Sequence, residues 1–173
     1  FKKLDEIIGR TDRLYFNKAI SNWKTKGLDF SKLFYAPKKA KGVDVFNTQK
    51  QEHNLKYIKD RKFIKAFDST YTKGKQIVIH DKIKNTDRSL GAMFSGHLAK
   101  KFGHEGLKED AVKINLKGTA GQSFGAFTSY GITLHLEGEG NDYVGKGLCG
   151  GKIVIKPTSD WKIIPEKSII VGN

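Results

Sequence analysis

Residues 114–151 read INLKGTAGQSFGAFTSYGITLHLEGEGNDYVGKGLCGG, a single pattern written twice. In register, Ile114, Leu116, Gly118, Gly121 and Gly125 fall on Leu134, Leu136, Gly138, Asn141 and Gly145, each a step of 20 residues. An alternating apolar pair followed by spaced glycines describes a half-buried strand running into a tight corner. Asn is one of the few side chains that tolerate the left-handed backbone region, so Asn141 in place of Gly points to a left-handed corner. Two further apolar pairs continue the series: Ile153 and Ile155 lie 19 residues beyond Leu134 and Leu136, and Ile169 and Val171 another 16 on. A repeat this short has no room for a helical crossover of a dozen or more residues. Stacked parallel coils fit the period, and an antiparallel meander of Gly-rich hairpins is the alternative.

Outward from the repeat, the chain reads as follows. KQIVIH at residues 75–80 is a β-rich run that predicts a first strand of the stack. Leu90, Phe94, Leu98 and Phe102 step by four with Met93 beside them, a helical core stripe that Gly103 ends. Tyr57, Ile58, Ile64 and Phe67 predict an amphipathic helix over residues 51–67, with His53 near its start. Leu4, Ile7 and Ile8 suit a short helix within residues 4–14 that breaks near Gly9. The aromatic segment around Phe30, Leu33 and Phe34 is expected to dock on another surface, before PKKAKG forms a basic linker. The expected organisation is a partly helical basic extension over residues 1–74 and a Gly-rich stack over residues 75–173.

Composition narrows the function. At 173 residues, 38% hydrophobic and with one Cys, the chain can bury a core without disulfides and suits a reducing, cytoplasmic setting. It has no apolar run of membrane-spanning length and no export leader pattern. The formal charge of +14 is uneven: residues 1–62 hold 16 Lys or Arg against 7 Asp or Glu, whereas residues 111–173 hold 7 against 5. Basic residues interleaved with exposed aromatics on one face are missing, which argues against nucleic acid and for a solvated or acid-partnered surface.

Several motifs are nearly catalytic. GNDYVGKG at residues 140–147 is a phosphate loop except that Gly147 stands where Ser or Thr must hold Mg²⁺. Gly145, Gly147 and Gly150 satisfy GxGxxG, but the strand-like KIVIK follows where a helix should aim its amino end. His53, His80, His97, His104 and His135 have no metal-ligand spacing, and His135 falls on the outward face of its strand. Cys149 has no neighbouring base in the sequence, Ser123 lacks the GxSxG elbow, and Asp142 with Lys146 forms at most a local ion pair. No catalytic, cofactor-binding or metal-binding residue is therefore assigned. The residues singled out are the structural corners Gly118, Gly121, Gly125, Gly138, Asn141 and Gly145.

GTAGQSFGAF and GNDYVGKGLCGG resemble the two signature coils of the C-terminal β-helix domain of glutamate synthase large subunits. LDEIIGRTDRL and KTKGLDFSKLFY resemble the junction after that enzyme's flavin-binding domain, and QEHNLKYIKDRKFI and KNTDRSLGAMFSG its entry into the β-helix. The formylmethanofuran dehydrogenase C subunit is similar in its Gly-rich coils only. Two positions depart from the pattern: Cys149, where Ser is usual, and Lys59, where an apolar residue is expected before Asp60.

The resemblance implies a mainly β fold, a right-handed parallel β-helix or single-stranded solenoid. It implies a non-catalytic scaffold between an amidotransferase domain and an FMN-binding domain, in cis or in trans. The family uses an N-terminal Cys, FMN and a three-Cys 3Fe-4S cluster, and the residues for these lie outside this chain. The alternative is a free-standing remnant that acts as a protein-interaction module. Self-association through an open C-terminal strand edge, or its cover by the segment at residues 30–34, is a further expectation.

Overall fold

The computed structural model describes residues 1–15, 17 and 19–173. They divide into two compact units, Phe1–His53 and Asn54–Asn173. The first unit contains short 3-10 turns at Leu4–Glu6, Thr11–Arg13 and Ala19–Ser21. Gly9, at φ 76°, separates the first two, so the apolar spacing over residues 4–14 yields two turns and no continuous helix.

The second unit is a small α/β domain. Its elements are α1 (Lys59–Thr70), β1 (Ile77–Ile83), α2 (Ala92–Phe102), β2 (Val112–Ala120), β3 (Ile132–Gly140) and β4 (Lys152–Lys156). The strands form one parallel sheet in the order β1-β2-β3-β4. Ile79 pairs with Ile114, Ile114 with Leu134, and Leu134 with Ile153, so the apolar residues stack on one face of the sheet. The 20-residue step is thus the strand register itself.

This architecture corrects the β-helix expectation. An all-β parallel β-helix closes its core with further strands on the other side of each coil. Here the return paths from β2 to β3 and from β3 to β4 are chains of turns, joined by backbone hydrogen bonds and by isolated bridges such as Ser129↔Cys149, Ser129↔Gly150 and Gly140↔Val171, and they form no second sheet among the described residues. The first period is not a short coil at all. Ile77 pairs with Val112, 35 residues on, because α2 lies between them. Helices take the place of a second wall: Phe63 and Phe67 of α1 and Phe94 and Leu98 of α2 are fully buried in one cluster with Ile114, Ile132, Leu134 and Leu136. At roughly 25 cal/mol per Å², burial of such side chains is worth about 2 kcal/mol each.

Other expectations need smaller corrections. The first helix begins at Lys59, and Tyr57 precedes it 89% exposed, while Phe63, absent from the predicted stripe, is buried. The fourth apolar pair forms no strand; Ile169 is 88% exposed and Val171 makes a single bridge to Gly140. Gly125 and Gly145 are left-handed, at φ 68° and 66°, but Asn141 is not among the residues with positive φ. Space, not φ, explains position 121: a Cβ on Gly121 would stand 2.5 Å from the carbonyl oxygen of Asn85 and 2.7 Å from that of Asp87. One rung further on there is room for a side chain, and Asn141 Nδ2 donates to Asn85 Oδ1 at 2.8 Å.

Candidate functional site

Three turn segments stack beside the sheet and carry the glycines of the sequence motif. The residues Ser89, Ser123 and Tyr143 take left-handed φ values of 52°, 61° and 61°. Each donates its amide to the next segment at 2.8 Å: Ser89 to the Gln122 carbonyl, Ser123 to that of Asp142, and Tyr143 to that of Asn173. Gly125 donates to the Leu90 carbonyl at 2.9 Å, Gly145 to that of Phe124 at 2.8 Å, and Phe127 to that of Lys146 at 2.9 Å. A left-handed residue turns its amide out of the local path, and a row of such amides can cradle an anion. In this stack the cradle is filled by the neighbouring turn.

GNDYVGKG follows the same rule. The amides of Tyr143, Gly145, Lys146 and Leu148 all donate to carbonyls within the protein, and the segment leads into β4 instead of a helix. The side chains extend the stack. Arg88 Nη2 donates to Gln122 Oε1 at 2.6 Å, Gln122 Nε2 reaches Asp142 Oδ2 at 3.4 Å, and Asp142 Oδ1 accepts the Asn173 amide at 3.0 Å. Thr119 donates to Glu139 across one rung at 3.1 Å. Asp142 therefore engages the ladder, and Lys146 lies over the Tyr143 ring, 5.2 Å from its centroid.

Gly118 and Gly138 sit in one column of the sheet, paired with each other, and Gly118 also pairs with Ile83. A Cβ on Gly138 would land on the Gly118 carbonyl, and one on Gly118 would land on that of Ile83. These two glycines permit a backbone approach no other residue allows.

Asp60 is the buried acid of the domain, 2% exposed. It lies in the first turn of α1 but serves α2: its carboxylate accepts from the Gly91 amide at 2.9 and 3.1 Å and from the Phe94 amide at 3.0 Å. Burial raises its pKa above the ordinary aspartate value, and the amides of Gly91, Phe94 and Met93 pull against that rise. Lys59, the basic departure beside it, stands 3.8 Å from Asp81 and 3.9 Å from Asp87, with Lys62 also on Asp81 at 3.0 Å. Sequence reading missed Asp60 as a cap because its partners lie 31 and 34 residues away.

The histidines do not converge. His97 of α2 pairs with Asp68 of α1 at 2.9 Å, His104 with its neighbour Glu105 at 2.8 Å, and His135 is half-buried between buried Leu134 and Leu136. The His97 contact, with Lys101 behind it, holds the Asp68 carboxyl below the usual range. Cys149 is exposed and its thiol donates to the Gly147 carbonyl at 2.9 Å. Among the described residues no group of three His, Cys, Asp or Glu side chains is placed to hold a metal ion, and no helix is long and apolar enough to cross a membrane.

Residues 60–173 match the family model described as the GXGXG motif. This chain belongs to the GXGXG family. It is 42% identical over 174 residues to the glutamate synthase [NADH] of Schizosaccharomyces pombe. It is 41% identical over 175 residues to the glutamate synthase [NADPH] large chain of Bacillus subtilis, and 38% over 180 to ferredoxin-dependent glutamate synthase 2 of Synechocystis. All of this chain is covered in each case, against 8%, 11% and 11% of the relatives, so it spans about a tenth of their length. Over its whole length the chain is thus similar to one segment of glutamate synthases.

Proposed function

We propose that this region acts as a spacer in the parent enzyme, holding the glutaminase and FMN-binding domains in a fixed relation without supplying a reactive group. The parent reaction is the conversion of glutamine, 2-oxoglutarate and reductant into two glutamates. FMN and the iron-sulfur cluster belong, on this reading, to other parts of the enzyme. The observation that carries it is how the polar groups are used. The turn amides that face a ligand in a phosphate loop here bond to carbonyls of their own or a neighbouring turn, and the buried carboxylate of Asp60 caps a helix. A sheet whose strands and turns are both laddered in register is stiff along the stacking direction, which suits a part that sets distance.

The test is a graft. In the Bacillus subtilis large chain, the matching segment is deleted or exchanged for these 173 residues, and glutamate formation and glutamine hydrolysis are measured separately. The spacer reading expects the deletion to lose glutamate formation coupled to glutamine and the exchange to restore it. Coupled turnover that survives the deletion refutes it.

A further inference from the structure

We propose that the cleft between the end of α2 and the loop entering β2 docks an acidic segment of a partner protein through one bulky apolar side chain. The cleft is about 570 Å³ and lies between residues 71–76 and 106–111. Its floor is apolar: Tyr71, Phe102 and Leu107 are half-buried there and pack on the core. Tyr71 stacks one face on Phe67 at 4.7 Å and meets Phe102 edge-on at 5.4 Å, so the floor is a fixed aromatic surface.

The rim carries the charge. Lys73, Lys75 and Lys108 are exposed, and among the described residues none lies within 4.0 Å of a carboxylate. The acids at the cleft are engaged elsewhere. Glu109 pairs with Lys152, while Asp110 pairs with Lys113 at 3.2 Å and accepts from Thr133 at 2.6 Å. Three uncompensated cations thus surround an apolar hollow.

The walls are already in place. Gln76 Nε2 donates to the Asp110 carbonyl at 2.8 Å, Ile77 donates its amide to the Ala111 carbonyl at 2.8 Å, and Leu107 donates to that of Tyr130 at 3.2 Å. A preformed hollow saves the ordering cost that weakens many peptide sites.

The combination selects the partner. An apolar floor rewards a side chain that leaves water, and an unpaired cationic rim rewards negative charge around it. A polynucleotide would need open ring faces for base stacking, but Tyr71 spends a face on Phe67 and two carboxylates stand in the wall. The inference goes beyond the spacer reading and does not depend on it, since the cleft's chemistry is the same whatever the region holds apart.

The experiment uses the 173-residue chain and fluorescence anisotropy. One probe is a short peptide of Asp and Glu around a central Phe, the second has Ser in place of Phe, and the third is oligodeoxythymidylate. The Phe peptide is expected to bind at least about tenfold more tightly than the Ser peptide and the oligonucleotide. The triple variant Lys73→Gln, Lys75→Gln, Lys108→Gln is expected to bind the Phe peptide at least about tenfold more weakly. These lysines are exposed, and an unchanged far-ultraviolet circular dichroism spectrum shows that the variant is folded. Equal affinity for the two peptides, tighter oligonucleotide binding, full binding by the folded triple variant, or no binding of the Phe peptide would each overturn the proposal.

Discussion

Replacing Asp60 tests whether a side chain of one helix holds the start of another. Asp60→Ala leaves the amides of Gly91 and Phe94 buried without an acceptor. Each unsatisfied buried donor costs about 1 to 3 kcal/mol, the two together about 2 to 6 kcal/mol, and relief from burying a carboxylate returns part of that, so the net loss is about 3 kcal/mol. Asp60→Asn keeps one acceptor oxygen and nearly the same shape, and should lose about 1 kcal/mol. Acidity separates the carboxylate from a merely structural contact. Its pKa is raised in the fold, so between the ordinary value of 3.8 and the raised one the folded state holds more protons than the unfolded. Wild-type stability therefore gains relative to the non-titrating Asn variant as pH falls through that window. The deficit of Asp60→Asn should widen on acidification. Urea unfolding followed by circular dichroism at several pH values measures both quantities. An Ala variant within about 0.5 kcal/mol of wild type, or an Asn deficit that shrinks towards acid, would refute the assignment.

Gly138→Ala should prevent folding or cost about 3 kcal/mol or more, because its Cβ meets the Gly118 carbonyl, whereas Gly145→Ala, with Ile153 Cδ1 at 3.4 Å, should cost about 1 kcal/mol of backbone strain; melting temperatures decide between them. Asn141→Gly and Asn141→Ala should be alike, each losing the bond to Asn85 and neither relieving a left-handed backbone, so thermal unfolding that strongly favours Gly would restore the left-handed corner. The bond from Thr133 holds the Asp110 carboxyl below its usual range, so its stabilising effect is present above pH 3.8 and is lost as pH falls through the lowered value; the stability difference between wild type and Thr133→Val should narrow there, and a constant difference across acid titration would contradict it. The chain alone should purify colourless and release no ammonia from glutamine, and flavin bound near one equivalent would count against the spacer reading.

Apolar alternation made β2, β3 and β4 legible, since Ile114, Leu134 and Ile153 occupy neighbouring rungs at the sequence period. Leu90, Phe94 and Leu98 of the predicted stripe are core for the same reason, although Leu90 precedes α2 and Phe102 at its end is half-buried. The turns were harder. Ser123, Phe127 and Tyr143 are left-handed without being Gly or Asn, and nothing in those residue types announces it. Asn141 carries the residue type but not the conformation, and its amide side chain bonds to Asn85. The inference of a closed coil failed because the period fixes only the spacing of the strands. It does not say what closes the other side of the core, and Phe63, Phe67, Phe94 and Leu98 do that from two helices. The role of Asp60 was hidden by distance, as tertiary caps are.

The first rung shows where this domain accepts extra chain. Ser89 and Gly91 of that rung match Ser123 and Gly125 of the second at a step of 34, yet the Ser89 amide and the Leu90 carbonyl join the same ladder. From Gly91 to the strand residue Val112 the chain takes 21 residues, and from Gly125 to the equivalent Ile132 it takes 7, so the segment that carries α2 is an insert of 14 residues at one point on the turn side. Both ends of the insert return to columns already defined by the rung above. Growth by whole rungs, or by segments inserted after the turn glycine represented by Gly91 and Gly125, leaves every pairing intact. A single residue added within a strand would instead turn the apolar row of that rung to the outside. Length variation among such domains is therefore expected to fall in the turns, as whole rungs or as inserts, with the paired columns of the sheet kept.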